Sequence, residues 1–243
     1  MPRFFVSREG ISDGVAKISG KDAYHIARSL RMAEGDEIYI SDGEGMEYLA
    51  TLTRIRDEEC LCKITEEAES SHEPKMNITL YMAYPKGDKL ETVVQKAVEL
   101  GATRIVPFES SRCIKRPKAD KVAKQTERLS KIAEEAAKQC GRAIIPEVSL
   151  PLTYSEMLAD ATRAELPLIC YERESHLSFK ETLKSATPSS ISIIVGCEGG
   201  FSPEEIDEAL AAGCRSVTLG NRILRCETAP SAALSMILYE YEL

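Results

Sequence analysis

The sequence lacks the motifs that mark the common nucleotide-binding sites. It contains neither the G-x-G-x-x-G fingerprint of dinucleotide-binding domains nor the P-loop pattern G-x-x-x-x-G-K-[ST]. No hydrophobic run approaches the length of a membrane span, and the opening MPRFFVSREG has an early acidic residue and no apolar signal region. These absences argue against a Rossmann oxidoreductase and against a membrane or secreted protein, and they predict a cytoplasmic location.

Metal-ligand spacing is missing as well. The eight cysteines include no C-x-x-C pair, and Cys60 and Cys62, two apart on a predicted strand, have no second pair to complete a site. The three histidines (His25, His72 and His176) show no ligand spacing either. The sequence therefore predicts reduced, mostly buried thiols and no metal.

The composition is that of a globular protein with an uneven charge distribution. Of the 243 residues 43% are hydrophobic and 29% charged, which allows one large domain or two small ones. The net charge is −8, yet the segment from Arg112 to Arg142 carries +6, which leaves −14 for the remainder. Such a segment is either a phosphate-binding surface or a solvated helix face with ion pairs four residues apart.

The first seventy residues have the pattern of a small β-barrel. Short alternating or clustered apolar segments such as RFFV, DEIYI and CLCKI are separated by Gly/Asp turns, and one helix is predicted over residues 21–32. The polar stretch AESSHEPK ends this rhythm, so we place a domain boundary between residues 72 and 73.

From residue 73 to residue 243, strands alternate with helices. This order predicts an α/β domain with a parallel sheet covered on both faces. Asp88 and Glu91 are predicted to cap the first of its helices. The other helices are expected over residues 119–140, 154–161, 177–185 and 203–212, with a further helix that begins after Thr228.

The stretch GCEGGFSPEE, residues 196–205, follows the apolar run ISIIV and predicts a strand, a glycine loop and a helix start. Glu198 lies inside the loop, and Glu204 and Glu205 fall in the first helical turn, where an anion would need positive potential. The loop therefore does not suit a phosphate. The alternative is a plain crossover whose helix is capped by Ser202 and Glu205 and begins with Pro203.

The last helix is apolar almost all round. Residues 232–239 read AALSMILY, whereas a surface helix would show a polar face. Two interpretations stay open, which are burial in the core alone and burial against both the core and a second subunit.

Taken together, GCEGGFSPEE and LGNRILRCETA (219–229) closely resemble the two carboxy-terminal signature loops of the SPOUT RNA methyltransferases. Within that superfamily they resemble the family that methylates N3 of a uridine in 16S ribosomal RNA. RFFV, YHIARSLRMAEGD, PKGDKLETVVQKAVELGATRIVPF and RLSKIAEEAAKQCGR extend the resemblance over nearly the whole chain. One departure is Cys197, where the family usually has proline.

This resemblance implies a PUA-like RNA-binding β-barrel over residues 1–72 and a SPOUT methyltransferase domain with a deep trefoil knot over residues 73–243. It also implies a homodimer and S-adenosyl-L-methionine as cofactor, whose cationic sulfonium is compatible with Glu198 in the glycine loop. The cofactor contacts it implies are Tyr171, Glu172, Gly196, Gly199, Gly200, Leu219, Gly220, Arg222, Ile223 and Leu224.

Methylation at uracil N3 needs either a base or stabilisation of the anion, because N3 is protonated at neutral pH. Glu198 and Glu227 are the candidate bases, and Arg222 and Arg225 are the candidates to stabilise the uracil oxygens. The sequence does not choose between the two carboxylates. A structural salt bridge from Arg225 to either carboxylate is the alternative.

The expected partner is 16S ribosomal RNA or the small ribosomal subunit, with no membrane and no metal. A non-catalytic RNA-binding ribosome-assembly factor is the rival interpretation. The predicted phosphate contacts are Arg3, His25, Arg28, Arg31, Lys86, Lys89, Arg112, Lys115, Arg116 and Arg142. For His25 a structural role in the barrel is the alternative.

Overall fold

The computed structural model describes residues 1–114 and 119–243. The chain divides into two compact units, of which the first comprises Met1–Glu73 with Ala137–Ile145. The second comprises Pro74–Ala136 with Pro146–Leu243. The predicted boundary lies one residue from the first division. The return of residues 137–145 to the first unit was not predicted.

Six described strands form the sheet of the first unit, in the order β1-β4-β5-β6-β3-β2. They are β1 (Arg3–Phe5), β2 (Ile11–Ser12), β3 (Val15–Ser19), β4 (Glu37–Ser41), β5 (Met46–Ile55) and β6 (Glu59–Glu69). Their pairing is antiparallel except between β1 and β4. Alternate residues of the strands, among them Ile18, Ile38 and Leu52, point into one core that also buries Cys60 and Cys62.

The helix of the first unit is shorter than predicted. Helix α1 (Gly20–Tyr24) passes into a π-helical turn, His25–Ser29, and helical structure ends there. Arg31 adopts φ 52°, and the Met32 N–H donates to the Ile26 carbonyl. A left-handed residue cannot continue a right-handed helix, so the predicted end at residue 32 was wrong.

Residues 137–145 are bound to the first unit through Glu73. Its carboxylate accepts the N–H groups of Ala143 at 2.8 Å and Ile144 at 3.0 Å, and the Arg142 guanidinium at 2.9 Å. Lys138 donates to the Asp22 carboxylate at 3.3 Å. These contacts explain why residues 137–145 pack with Met1–Glu73, although more than sixty residues separate the two segments in the sequence.

The second unit contains the predicted parallel sheet, with the order β10-β8-β7-β12-β11-β13 and β9 paired to β8. Its described strands are β7 (Asn77–Ala83), β8 (Arg104–Glu109), β9 (Glu147–Val148), β10 (Leu152–Thr153), β11 (Leu166–Cys170), β12 (Ser190–Val195) and β13 (Arg215–Val217). Neighbouring strands pair in parallel throughout these residues. The implied trefoil knot stays a prediction.

Helices join the strands of the second unit. They are α2 (Lys89–Glu99), α3 (Val122–Cys140), α4 (Tyr154–Ala161), α5 (Phe179–Lys184), α6 (Pro203–Ala212) and α7 (Ala229–Tyr241). Helices α4 and α6 have the predicted bounds, and the capping box of Ser202 and Glu205 is confirmed. Asp88 makes no side-chain cap, because its ψ of 14° is not the extended N-cap conformation. That predicted cap was wrong.

One face of helix α7 is buried in the second unit. Ala233, Leu234 and Ile237 are fully buried, whereas Met236 is 37% and Tyr239 75% exposed. Burial in the protomer's own core therefore accounts for part of the apolar character of this helix, and it leaves large apolar side chains on the surface.

Candidate active site

Three loops of the second unit meet in one pocket of about 770 Å³. They follow β11, β12 and β13, which are neighbours in the sheet and run in the same direction. Because the carboxyl ends of parallel strands meet at one edge, residues 170–175, 195–201 and 218–227 come together there. This is the edge at which open α/β sheets bind their ligands.

The glycine loop, residues 196–200, is shaped by close contacts with its neighbours. Gly200 adopts φ 63°, and a Cβ at this position would lie 2.8 Å from Glu172 Oε1. A Cβ at Gly199 would lie 2.9 Å from the Arg112 Cβ, and Arg112 Nη1 donates to the Gly199 carbonyl at 2.8 Å. Gly200 favours glycine because of its left-handed backbone, since the Glu172 carboxylate is the end of a flexible side chain, whereas Gly199 favours glycine for space alone.

Helix α6 is fastened behind the glycine loop through Glu205, which is 6% exposed. Its carboxylate accepts the N–H groups of Ser202 at 2.9 Å and Ser111 at 2.7 Å. The ring of Phe201 stacks on Phe108, with centroids 6.4 Å apart. The Glu205 carboxylate is thus held by backbone N–H groups and does not line the pocket.

Lys89, at the start of α2, lies between two carboxylates from different loops. Its ammonium is 2.9 Å from Glu198 Oε1 and 3.1 Å from Glu227 Oε2. The backbone N–H of Lys86 also donates to both oxygens of Glu198, at 3.1 and 3.2 Å. Lys89 was predicted as an RNA contact. The structure instead directs its ammonium into the pocket, which corrects that prediction.

These contacts shift the pKa values of Glu198, Glu227 and Lys89. Burial raises the pKa of the Glu198 carboxyl, but the hydrogen bonds from Lys89 and from the Lys86 N–H outweigh it, and the net shift is downward. The pKa of Glu227 is lowered, first by its own backbone N–H and further by Cys226 and Lys89. The hydrogen bonds to Glu198 and Glu227 raise the pKa of Lys89. All three groups are charged at neutral pH.

The alternative of a salt bridge from Arg225 is not what the structure contains. Within residues 1–114 and 119–243, Arg225 forms no ion pair, and Lys89 is the partner of both carboxylates. Arg222 and Arg225 line the same pocket, where neither guanidinium is paired with a described carboxylate. The pocket is therefore lined by two guanidinium groups that form no ion pair among the described residues, and by a carboxylate pair that shares the single positive charge of Lys89.

All the predicted cofactor contacts line this pocket. They are Tyr171, Glu172, Gly196, Gly199, Gly200, Leu219, Gly220, Arg222, Ile223 and Leu224. The side chain of Ile223 is 84% exposed, so it shields a ligand in the pocket less than a buried apolar side chain would. The lining also includes Asn221 and Ala229 from the signature loop LGNRILRCETA, and Glu174 and Thr218, for which the sequence carries no recognisable signal. Their contribution as ligand contacts stays a prediction.

Two of the predicted phosphate contacts are occupied within the first unit. The Arg3 guanidinium is buried, pairs with Glu47, donates to Ser41 Oγ at 2.8 Å and lies 5.1 Å from the centre of the Tyr39 ring. Arg142 is 3% exposed and pairs with Glu73. A buried and paired guanidinium is not available to a phosphate, so both predictions are corrected.

Other predicted phosphate contacts lie on the surface. His25, Arg31, Lys86 and Arg112 are exposed. Arg28 is exposed too, but its guanidinium is held by both oxygens of Asp57, at 2.9 and 3.0 Å from Nε. Lys115 and Arg116 lie outside the described residues.

The described part of the chain contains no evident metal site and no membrane-spanning helix. No group of three or more histidine, cysteine, aspartate or glutamate side chains there is arranged to hold a metal ion. None of the helices in residues 1–114 and 119–243 has the length and apolarity needed to cross a membrane.

Comparison with known proteins gives consistent matches over the whole chain. The family model of an RNA methyltransferase domain matches residues 72–238, and that of an RNA methyltransferase PUA domain matches residues 18–67. Ribosomal RNA small subunit methyltransferase E of Bacillus subtilis is 33% identical over 251 residues, which covers 100% of this chain and 98% of that protein. The protein of the same name from Synechocystis is 32% identical, and the aligned region covers 97% of this chain and 76% of the Synechocystis protein.

Two similar solved structures contain S-adenosyl methionine. Ribosomal RNA small subunit methyltransferase E from Neisseria gonorrhoeae, bound to S-adenosyl methionine, has a TM-score of 0.85 at 32% identity and covers 99% of this chain and 98% of that one. A methyltransferase from Legionella pneumophila in complex with SAM has a TM-score of 0.86 at 30% identity and covers 98% and 96% of the two chains.

Proposed function

Because the chain belongs to the RNA methyltransferase family that includes ribosomal RNA small subunit methyltransferase E, we propose that it methylates N3 of a uridine in 16S ribosomal RNA. It is an S-adenosylmethionine-dependent rRNA methyltransferase with a PUA-like first unit and a SPOUT-type second unit. The observation that carries the proposal is the meeting of three loops, each with a carboxylate, in one pocket at the carboxyl edge of the parallel sheet.

The chemistry of the pocket suits S-adenosylmethionine. Glu172, Glu198 and Glu227 line it and offer negative charge to the positive sulfur of this cofactor. Its volume of about 770 Å³ is in the range of small-molecule sites. When bound, the cofactor supplies an activated methyl group on a positively charged sulfur. The ten predicted contacts that line the pocket are the residues that we propose hold it.

We propose that the uracil reacts as its N3 anion, which arginine side chains stabilise, and that its N3 proton passes to solvent water and not to a strong carboxylate base. Glu198 and Glu227 have lowered pKa values and are paired with Lys89, so each is a poor proton acceptor at neutral pH. Arg225 and Arg222 line the pocket and form no ion pair among the described residues, so each can donate to uracil oxygens that gain charge.

We propose RNA contacts in each of the two units. They are His25 and Arg31 in the first unit and Lys86 and Arg112 in the second, all of them exposed, and Lys115 and Arg116, outside the described residues, stay predictions. Their ligand is 16S ribosomal RNA, either free or within the small ribosomal subunit. Because this substrate is made and assembled in the cytoplasm, we propose that the enzyme acts there.

We also propose that the enzyme is a homodimer. The exposed side chains Met236 and Tyr239 of α7 give an apolar surface that the protomer does not cover. A second copy of α7 is a chemically matched occupant, because a two-fold interface joins the same patch on both subunits.

The rival interpretation, a non-catalytic assembly factor, has no need of a cofactor pocket. The cofactor-bound relatives favour the enzyme. Mass spectrometry of 16S ribosomal RNA from cells with and without the gene tests the proposal directly. We expect one methyluridine to disappear with the gene and to return when purified protein and S-adenosylmethionine are added. Loss of no modified nucleotide would refute the function.

The role of Arg225 has its own test. We expect Arg225→Ala to lower kcat about a hundredfold, the usual cost of losing one donor to a developing anion, with cofactor affinity little changed. Arg163→Ala is the control, because the Arg163 side chain is 79% exposed and pairs with Asp160, away from the pocket. Full activity of Arg225→Ala, or a larger loss in Glu227→Gln, would assign proton removal to a carboxylate.

A further inference from the structure

Lys89 connects two loops that are distant in the sequence. Glu198 belongs to the glycine loop after β12, and Glu227 belongs to the loop after β13. Their carboxylate oxygens lie 2.9 and 3.1 Å from the same nitrogen, so they are at most about 6 Å apart. All three side chains are about a quarter to a third exposed, with values of 36% for Lys89, 28% for Glu198 and 23% for Glu227.

The ammonium of Lys89 is what makes this arrangement favourable. Two carboxylates this close repel each other at neutral pH unless a cation lies between them. No other described cation is within ion-pair distance of Glu198 or Glu227, so in this part of the chain the neutralising charge comes from Lys89 alone.

The two carboxylates depend on Lys89 to different degrees. Glu198 keeps two hydrogen bonds from the Lys86 N–H if the Lys89 ammonium is removed. For Glu227 the other side-chain contact to a neighbour is the Cys226 thiol, at 3.2 Å, on its own loop. The side-chain link from Glu227 to the glycine loop therefore passes through Lys89.

We propose that Lys89 is a positioning residue that holds the loop of Glu227 against the glycine loop and sets the charge of the carboxylate pair at −1. This inference rests on the proposed function, since it concerns the same pocket. It assigns Lys89 a role in forming the cofactor site, and it places Lys89 outside the RNA surface.

The charge has a consequence that packing alone would not have. S-adenosylmethionine carries a positive sulfur, whereas the sulfur of the product S-adenosylhomocysteine is neutral. Without Lys89 the carboxylate pair has a charge of −2, which favours the cationic cofactor over the product. A loosened loop, by contrast, weakens the binding of both compounds equally. The ratio of the two affinities separates the electrostatic role from a merely structural one.

Calorimetry with both compounds tests this. For Lys89→Met we expect S-adenosylhomocysteine affinity to fall about tenfold and S-adenosylmethionine affinity only about threefold, given partly exposed charges. Lys89→Arg, which keeps the charge, should restore the ratio. The control is Lys96→Met on the same helix, because Lys96 pairs with Glu99 at 2.8 Å and does not line the pocket. Equal losses for both compounds would reduce Lys89 to a structural role, and unchanged affinities would overturn the proposal.

A second measurement separates this inference from the function itself. Hydrogen exchange of the cofactor-free protein should show faster exchange over residues 219–228 in Lys89→Met and little change over residues 196–201, which Lys86 still holds. Unchanged exchange in both loops would refute the positioning role. If the wild-type protein instead bound S-adenosylmethionine but methylated no 16S ribosomal RNA, the proposed function would fail while the role of Lys89 stood.

Discussion

At the scale of single residues, the glycine loop combines two different demands. Gly199 needs space, because the Arg112 Cβ would lie 2.9 Å from a Cβ placed there, and its φ is outside the left-handed region. Gly200 needs a left-handed backbone, since its φ is 63°, and a Cβ there would lie 2.8 Å from the end of the Glu172 side chain, which would have to move. A side chain at Gly200 would therefore push against a carboxylate that lines the cofactor pocket.

This predicts different outcomes for two glycine-to-alanine changes. Gly200→Ala should destabilise the protein by about 1–3 kcal/mol and lower S-adenosylmethionine affinity, because it adds backbone strain and displaces Glu172. Gly213→Ala, at φ 105° with open space around it, should carry the strain without the loss of affinity. Denaturant unfolding and calorimetry measure the two effects. Equal affinities in both variants would mean that the position of Glu172 does not matter for binding.

Cys197 lies at the position where the resembled family usually has proline. No backbone hydrogen bond among the described residues uses the Cys197 N–H, while its carbonyl accepts from Gly200 at 2.9 Å. Cys197→Pro should therefore stabilise the protein by about 0.4–1 kcal/mol, by restricting the unfolded chain. Urea unfolding would reveal the gain, and a loss of stability would show that the thiol, packed near Ser110, contributes more than the ring does.

At the scale of elements, the segments with local signals are those that the sequence predicted well. Helix α6 has a capping box and a proline in its first turn, all within four neighbouring residues, and its bounds were predicted correctly. The first helix was predicted too long, because the end of its helical structure depends on the left-handed conformation of Arg31, which no apolar pattern encodes. The cap at Asp88 also depends on backbone conformation, because its ψ of 14° is not that of an N-cap, and Glu91 pairs instead with Arg128 at 2.9 Å.

The cap of α6 has a measurable contribution. The Ser202 hydroxyl accepts the Glu205 N–H at 3.2 Å, so Ser202→Ala should lower the free energy of unfolding by about 1 kcal/mol. Ser155→Ala, an exposed serine inside the first turn of α4, should leave it unchanged or raise it slightly. If both variants unfold at the same denaturant concentration as the wild type, the box is not a determinant of stability.

At the scale of the whole molecule, the contacts that matter most join residues far apart in the sequence. Lys89 and Glu198 are 109 positions apart, and Arg142 and Glu73 are 69 apart. Composition and periodicity carry no record of such pairs, so both Lys89 and Arg142 were predicted as phosphate contacts. The pocket was found through the resemblance of its two signature loops. Its ion pairs became visible only in three dimensions.

The proposed homodimer is also a property of the whole molecule, and it depends on the exposed apolar side chains of α7. Tyr239→Glu should convert the particle to the mass of one protomer in light scattering, because it places a charge in the apolar patch of α7. Tyr24→Glu, which adds the same charge at another exposed tyrosine, should not change the mass. Leu234 is unsuitable as a probe, since it is fully buried inside the protomer. A wild-type protein that is monomeric at micromolar concentration would contradict the dimer.

The return of residues 137–145 to the first unit also bears on how the protein is made and inherited. Translation runs from the amino end, so the six strands up to Glu69 leave the ribosome long before Arg142, the partner of Glu73, has been synthesised. The first unit is therefore completed only after much of the second has emerged. A single crossover between two related genes at the boundary after Glu73 would take Glu73 and Arg142 from different parents. An intact exchange of the first unit requires two more breakpoints, which flank residues 137–145.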